Sequence, residues 1–238
     1  MDKATGYRIE QCSAWYGQAR VLWDIDFHVG PGEVVGVLGR NGAGKTTLLK
    51  SIAGVLRKQT GHATLNGRDI GSQSSWQISR AGISLVREGA ILPKSLSVAE
   101  VIALGARLAG IRGREPVSMA TILERFPLLS GLEDRKVALL SGGQRQAVAL
   151  ASGLASRPDM LLLDEPSAGL APTVAASVFR AISTFAADGV MVVVVEQHEA
   201  WLRGLAERTY WIDLGRVAAS KTNRSDSEQQ GGRNEIAS

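Results

Sequence analysis

The eight residues Gly39-Arg40-Asn41-Gly42-Ala43-Gly44-Lys45-Thr46 carry the spacing of a loop built to hold phosphate, the Walker A pattern. Its glycines let successive backbone N–H groups turn inward around phosphate oxygens with no Cβ in the way. A helix beginning near Lys45 aims its positive end at the same anion. The Lys45 ammonium can reach β- and γ-phosphates, the Thr46 hydroxyl is placed to ligate Mg²⁺, and Thr47 extends the contact set by one residue. Glycine-rich turns are common. This one stands between a strand-like run and a helix-like run, and that context points to nucleotide binding.

Downstream, Met160-Leu161-Leu162-Leu163-Asp164-Glu165-Pro166 is an apolar run ending in two adjacent carboxylates. Taken alone, it reads equally well as an ordinary strand meeting solvent. Paired with the upstream loop it reads as a Walker B segment. Asp164 would hold Mg²⁺ directly or through water, and Glu165 would act as general base or orient the attacking water. Pro166 stops the strand. The pair indicates hydrolysis.

Between the two stands Leu140-Ser141-Gly142-Gly143-Gln144, just before an alanine-rich helical pattern. As composition it is a capped helix start, with Ser141 as the cap. Uncapped N–H groups and a hydroxyl at such a start can also face an anion. At this motif the sequence resembles the ATP-binding cassette (ABC) family, from about Tyr7 to Ala219. The resemblance implies that Ser141, Gly142, Gly143 and Gln144 contact the γ-phosphate of ATP held by an opposite subunit. It therefore implies a head-to-tail dimer with a second cassette, homomeric or heteromeric. It places Tyr16 where the family stacks an aromatic on adenine, and it implies ATP and Mg²⁺ as the bound groups. The fold implied is an α/β P-loop cassette with a mainly parallel core sheet. An N-terminal antiparallel β-subdomain and a helical subdomain inserted over about residues 88–155 complete it.

Three positions depart from the general cassette pattern. Glu88 stands where the family carries a glutamine that contacts Mg²⁺ and the attacking water, so a carboxylate would ligate the metal there and add negative charge. Ala171 replaces the usual aspartate of the segment after Pro166. The switch position, 32 residues after Glu165 (197 − 165), falls on Gln197, with His198 one residue late; a one-residue loop shift would bring His198 to the γ-phosphate instead. Together Glu88-Gly89, Gly169-Leu170-Ala171-Pro172 and Val195-Glu196-Gln197 resemble the ATP-binding subunits of branched-chain amino-acid importers and of the related urea and amide importers. That likeness implies transmembrane permease subunits as partners and, indirectly, a periplasmic or extracellular solute-binding protein. It places the chain at the cytoplasmic face of the membrane. A catalytically weak regulatory cassette is the competing reading, since Glu88, Ala171 and Gln197 all depart from the pattern. A cassette acting on DNA or in translation would need a coiled-coil insertion or a second cassette, and neither fits in 238 residues.

The elements that must position these residues can be read from hydrophobic period. Strand-like runs fall at Tyr7–Gln11, Val21–Val29, Glu33–Leu38, Ala63–Leu65, Ile83–Val86, Met160–Leu163, Val190–Val195 and Tyr210–Leu214. Helical patterns cover Thr46–Ala53, several segments between Val98 and Leu154, then Thr173–Ala187 and Ala200–Glu207. Strand–helix alternation indicates α/β architecture with a largely parallel sheet. One cassette domain is expected over residues 1–220, followed by a polar tail, residues 221–238, expected to be disordered.

Composition is that of a globular domain, 45% hydrophobic and 21% charged, with a net charge of +4 that by itself decides nothing. No nucleic-acid partner is expected. Cys12 is the one cysteine, which excludes an internal disulfide and a cysteine metal cluster. The stretch from Met1 to Glu10 lacks a signal-peptide core, and no apolar run approaches the roughly 20 residues of a membrane helix. His28 and His62 read as structural. Arg107, Arg112 and Arg114 read as a solvated face, and Trp76, Trp201 and Trp211 as packing residues. By family analogy, apolar surface near Ile91–Leu96 is expected to meet the permease.

Overall fold

The computed structural model describes residues 5–56, 59–89 and 92–223. Two sheets organise them. A four-stranded antiparallel sheet, in the order β2-β1-β4-β5, is built from β1 (Tyr7–Tyr16), β2 (Ala19–Val29), β4 (Gln59–Leu65) and β5 (Arg68–Asp69). A six-stranded sheet, ordered β10-β9-β3-β8-β7-β6, contains β3 (Val34–Leu38), β6 (Ile83–Val86), β7 (Met160–Asp164), β8 (Met191–Glu196), β9 (Arg208–Asp213) and β10 (Arg216–Thr222). All its pairings are parallel except β9–β10.

Why β3, β7 and β8 read as unbroken apolar runs is plain from their burial, since every residue of the three is covered. Successive side chains point to opposite faces of the sheet, and each face has its own core. Val193 and Val195 join the β1/β2/β4 sheet and α1 (Lys45–Ile52). Val192 and Val194 join α3 (Val98–Ile111), α4 (Met119–Arg125), α5 (Gly142–Ala155) and α6 (Pro172–Ala187). The six-stranded sheet is thus the middle layer of three. Helix α3 lies so close to α5 that a Cβ on Gly105 would stand 1.9 Å from the Ser152 carbonyl oxygen.

Five readings are corrected. Residues 200–207 do not form a helix. A single 3-10 turn, Glu199–Trp201, gives way to turns around Gly204, whose φ of 76° lies in the left-handed region. Leu202 is pressed onto the bare backbone of Gly36 instead, its Cδ1 2.6 Å from where a Cβ would be. The expected disordered tail starts too early, because β10 runs through Thr222 and the Asn223 N–H bonds the Glu207 carbonyl at 2.6 Å. Residues 224–238 lie outside the described residues, as does Ile91 of the expected apolar surface. The described Leu92 and Leu96 turn inward onto the helical core. Trp76, on the short helix α2 (Ser75–Ala81), is exposed rather than packed, whereas Trp201 stacks on Phe179 at 5.3 Å. Arg107 is solvated, but Arg112 is not: its guanidinium donates to the carbonyls of Ser79 and Ser156 at 2.6–2.9 Å and to the hydroxyls of Ser156 and Ser84. Arg114 pairs with Asp159 at 2.7 Å. An arginine at a helix end looks the same in sequence whether it meets water or carbonyls.

Candidate nucleotide site

Strands β3, β8 and β7 lie side by side, and the register pairs Leu38 with Glu196 and Asp164 with Val195. Their C-terminal ends therefore open onto one ledge, where the glycine-rich loop, the acidic pair and the switch segment emerge together. Helix α1 starts there without a side-chain cap. Its N-cap is Gly44, at φ 111°, where any side chain would be strained. By contrast α2, α3 and α5 each begin with a serine capping box. The first N–H groups of α1 are left for an anion.

Lys45 is buried, and its ammonium donates to the carbonyls of Gly39 at 2.9 Å and Arg40 at 3.2 Å, with Glu165 Oε1 3.8 Å away. The Thr46 hydroxyl donates to Asp164 Oδ1 at 3.0 Å. Burial pushes the Asp164 carboxyl up from its ordinary value; the Thr46 bond opposes that and the charge of Glu165 adds to it. Glu165 sits at φ 47°, unusual for a residue with a Cβ, and its carboxylate accepts from Gln197 Nε2 at 2.7 Å. Among the described residues no cluster of three or more His, Cys, Asp or Glu is placed to hold a metal alone. The Thr46–Asp164 pair offers hard oxygen donors, which suit a Mg²⁺ that takes its other ligands from water and phosphate.

The structure thus brings Lys45, Thr46, Asp164, Glu165 and Gln197 together. His198 begins the turn beyond Gln197 and is exposed. Glu88, past the end of β6, is exposed on the rim of a cavity of about 620 Å³ whose wall includes Val55, Leu85, Leu104 and Leu108. Tyr16 is 46% exposed at the end of β1, with Lys50 of α1 3.4 Å from its hydroxyl. Ser141 and Gly142 are exposed at the start of α5, and Gly143 packs toward Val174 and Leu170. Ser141 caps the helix as its position suggests: the Gln144 N–H donates to Ser141 Oγ at 3.2 Å, and the Ser141 N–H to Gln144 Oε1 at 2.9 Å. The N–H groups of Gly142 and Gly143 and the Ser141 hydroxyl proton are left over for a ligand. Among the described residues no hydrogen bond or ion pair joins residues 141–144 to the Lys45 cluster. Ala171, as the uncapped N-cap of α6, offers no polar side chain. Sequence reasoning gave no role to Glu196, a carboxylate closing the apolar run Met191–Val195. That break in hydrophobicity was its one signal.

A family profile described as ABC transporter matches residues 22–168. The high-affinity branched-chain amino acid transport ATP-binding protein BraG of Pseudomonas aeruginosa is 35% identical over 213 residues, covering 90% of this chain and 91% of BraG. The daunorubicin resistance ATP-binding protein DrrA2 of Streptomyces coeruleorubidus is 35% identical, over 90% of this chain and 66% of its own length. Among solved structures, the ADP conformation of MJ1267, an ATP-binding cassette of an ABC transporter, superposes with a TM-score of 0.78 at 26% identity, covering 91% of each chain.

Proposed function

The chain belongs to the ATP-binding cassettes of ABC transporters, and from that premise we propose that it is the ATPase subunit of an importer for branched-chain amino acids or a related small polar solute. The relative BraG, matched over nearly its full length, supports the solute class. The observation that carries hydrolysis is the convergence of Lys45 and Gln197 on the Glu165 carboxylate, at 3.8 and 2.7 Å.

In this reading residues 39–47 wrap the phosphates, and Lys45 exchanges the carbonyls of Gly39 and Arg40 for phosphate oxygens. Tyr16 stacks on the adenine. Thr46 and Asp164, with Glu88 as a further donor, would hold Mg²⁺, which would supply charge neutralisation at the phosphates. Glu165 directs a water in line, and Gln197 fixes the carboxylate that does so. A glutamine donates a hydrogen bond but carries no proton, so Gln197 orients rather than shuttles. Catalysis is chiefly positioning and electrostatics.

Each site is completed by the Ser141–Gln144 segment of a second cassette, and the helical subdomain of residues 88–155 carries that segment. Among the described residues no helix is long and apolar enough to cross a membrane. In this reading force passes to separate permease subunits at the cytoplasmic face, and the cavity beside Glu88, walled by Val55, Leu85, Leu104 and Leu108, is where they would dock.

The test is ATP turnover by the full chain, wild type beside Glu165→Gln, with sizing chromatography in ATP and Mg²⁺. Wild-type turnover lost in the variant, with the variant held as a dimer by ATP, is the expected result. Tight ATP binding without turnover or dimer would instead identify a regulatory cassette needing a different catalytic partner.

A further inference from the structure

Glu196 is 2% exposed at the end of β8, and among the described residues no cation pairs with it. A buried carboxylate without a counter-ion costs free energy unless hydrogen bonds satisfy it. The backbone N–H of its neighbour Gln197 supplies one, and Ser167, from across the sheet end, supplies two. The Ser167 N–H donates to Glu196 Oε1 at 3.0 Å, and the Ser167 hydroxyl donates to Oε2 at 2.9 Å.

Ser167 stands two residues after Glu165, across Pro166, which has no N–H to offer. Three consecutive residues of β8 and its exit hold this short turn by three different groups. The Val195 carbonyl accepts from the Glu165 N–H at 3.0 Å, Glu196 grips Ser167, and the Gln197 amide reaches the Glu165 carboxylate. Glu165 itself sits in the left-handed region at φ 47°. A residue with a Cβ persists there only when its surroundings over-determine it. The Val195 bond fixes the chain on one side of the strained residue and Glu196 fixes it on the other. Burial raises the Glu196 carboxyl from its ordinary value, and the Ser167 bonds oppose that rise.

We propose that Glu196 is a positioning residue for ATP hydrolysis, holding the Glu165 backbone and carboxylate in register through its two-pronged grip on Ser167. This rests on the reading that Glu165 directs the attacking water. Glu196 acts through the turn, by way of Ser167, rather than on the nucleotide. Its removal lowers kcat while leaving ATP affinity, set by residues 39–47, in place. A glutamine can substitute, because its carbonyl accepts the Ser167 N–H while its amide donates to the Ser167 oxygen.

The experiment compares wild type, Glu196→Ala, Glu196→Gln and Ser167→Ala as full chains, in complex with the partner cassette where turnover requires it. Glu196→Ala is expected to lose about 10- to 100-fold in kcat, as small displacements of a reacting group do, with the Kd for ATP within about 2-fold. Ser167→Ala, which keeps the N–H prong and folds without a buried vacancy, loses about 3- to 10-fold. Glu196→Gln recovers most of the turnover. Unchanged kcat in Ser167→Ala and Glu196→Ala, or a Glu196→Gln as impaired as Glu196→Ala, would overturn the proposal. Amide hydrogen exchange supplies a readout independent of catalysis. Exchange over residues 165–170 should rise at least about 10-fold in Glu196→Ala while residues 39–47 stay unchanged. A wild type that binds ATP without turnover defeats the hydrolysis reading alone. Unaltered exchange over residues 165–170 defeats the positioning role alone.

Discussion

The two ends of the same parallel strands treat buried polar groups in opposite ways. At the N-terminal ends of β6, β7 and β8 the charges are matched. Arg112 spends its guanidinium on the carbonyls and hydroxyls of Ser79, Ser84 and Ser156, while Arg114 pairs with Asp159 and Arg125 with Asp188, at 2.7 and 2.5 Å. Burial pulls Arg112 down to about 10, with Arg114 adding to the effect, and it stays charged at neutral pH. At the C-terminal ends Asp164, Glu165 and Glu196 crowd together, and the nearest cation, Lys45, is 3.8 Å from one of them. One end closes its accounts within the chain. The other leaves negative charge and free N–H groups, a combination that suits a ligand bearing both metal and phosphate. Saturation marks the end that holds the fold, and the deficit marks the end where we place the chemistry.

The largest expected effect tests the deficit. Glu165→Gln should lower turnover about 10²- to 10⁴-fold if Glu165 is the general base. Because it removes one charge from an acidic cluster, it should leave the melting temperature of the nucleotide-free chain unchanged or higher. Calorimetry without ATP measures this. A variant that is inactive and also clearly less stable would place Glu165 with the structural charges and break the contrast.

Arg112→Ala is the mirror case. It strips the Ser79 and Ser156 carbonyls of a charged donor, and several such bonds together are expected to cost about 3 kcal/mol. Urea unfolding should show that loss, with the Kd for ATP within about 2-fold of wild type. Arg112→Lys should recover only part of it, since an ammonium lacks the planar fork that reaches two carbonyls and two hydroxyls at once. A large change in ATP affinity would mean that the two ends are coupled rather than separate.

The two ends also differed in how far they could be read from sequence. Lys45, Thr46, Asp164 and Glu165 are legible because phosphate chemistry demands particular residue types at fixed local spacing. The parallel sheet is legible because β3, β7 and β8 are apolar throughout. Arg112 was invisible, since its partners Ser79, Ser84 and Ser156 are 28 to 44 residues away and only the fold assembles them. The same holds for Glu196 and Ser167, 29 residues apart. The absent helix at residues 200–207 has another cause. A helical run of alanine and leucine there was overruled by Gly204 and by the fit of Leu202 onto Gly36. The capping box at Ser141 was readable from its Gln144 partner three residues on, yet the same four residues also read as an anion contact.

The smallest effect sharpens the comparison through pH. Glu196 has its folded-state value raised above the ordinary 4.5, burial being the main cause. The native chain therefore holds that proton more tightly than the unfolded chain. The stabilising contribution is fully present below about pH 4.5 and is lost as pH rises through the folded-state value. Glu196→Gln cannot lose it, so the difference in stability between the variant and wild type should shift in favour of the variant as pH rises from about 4.5 toward neutrality. Arg112→Ala should show a difference from wild type that stays flat over the same range, because the guanidinium does not titrate there. Urea midpoints across the range would measure both slopes in nucleotide-free protein. A flat line for Glu196→Gln would show that the Ser167 bonds satisfy the carboxylate fully, placing Glu196 among the saturated groups although it lies at the catalytic end.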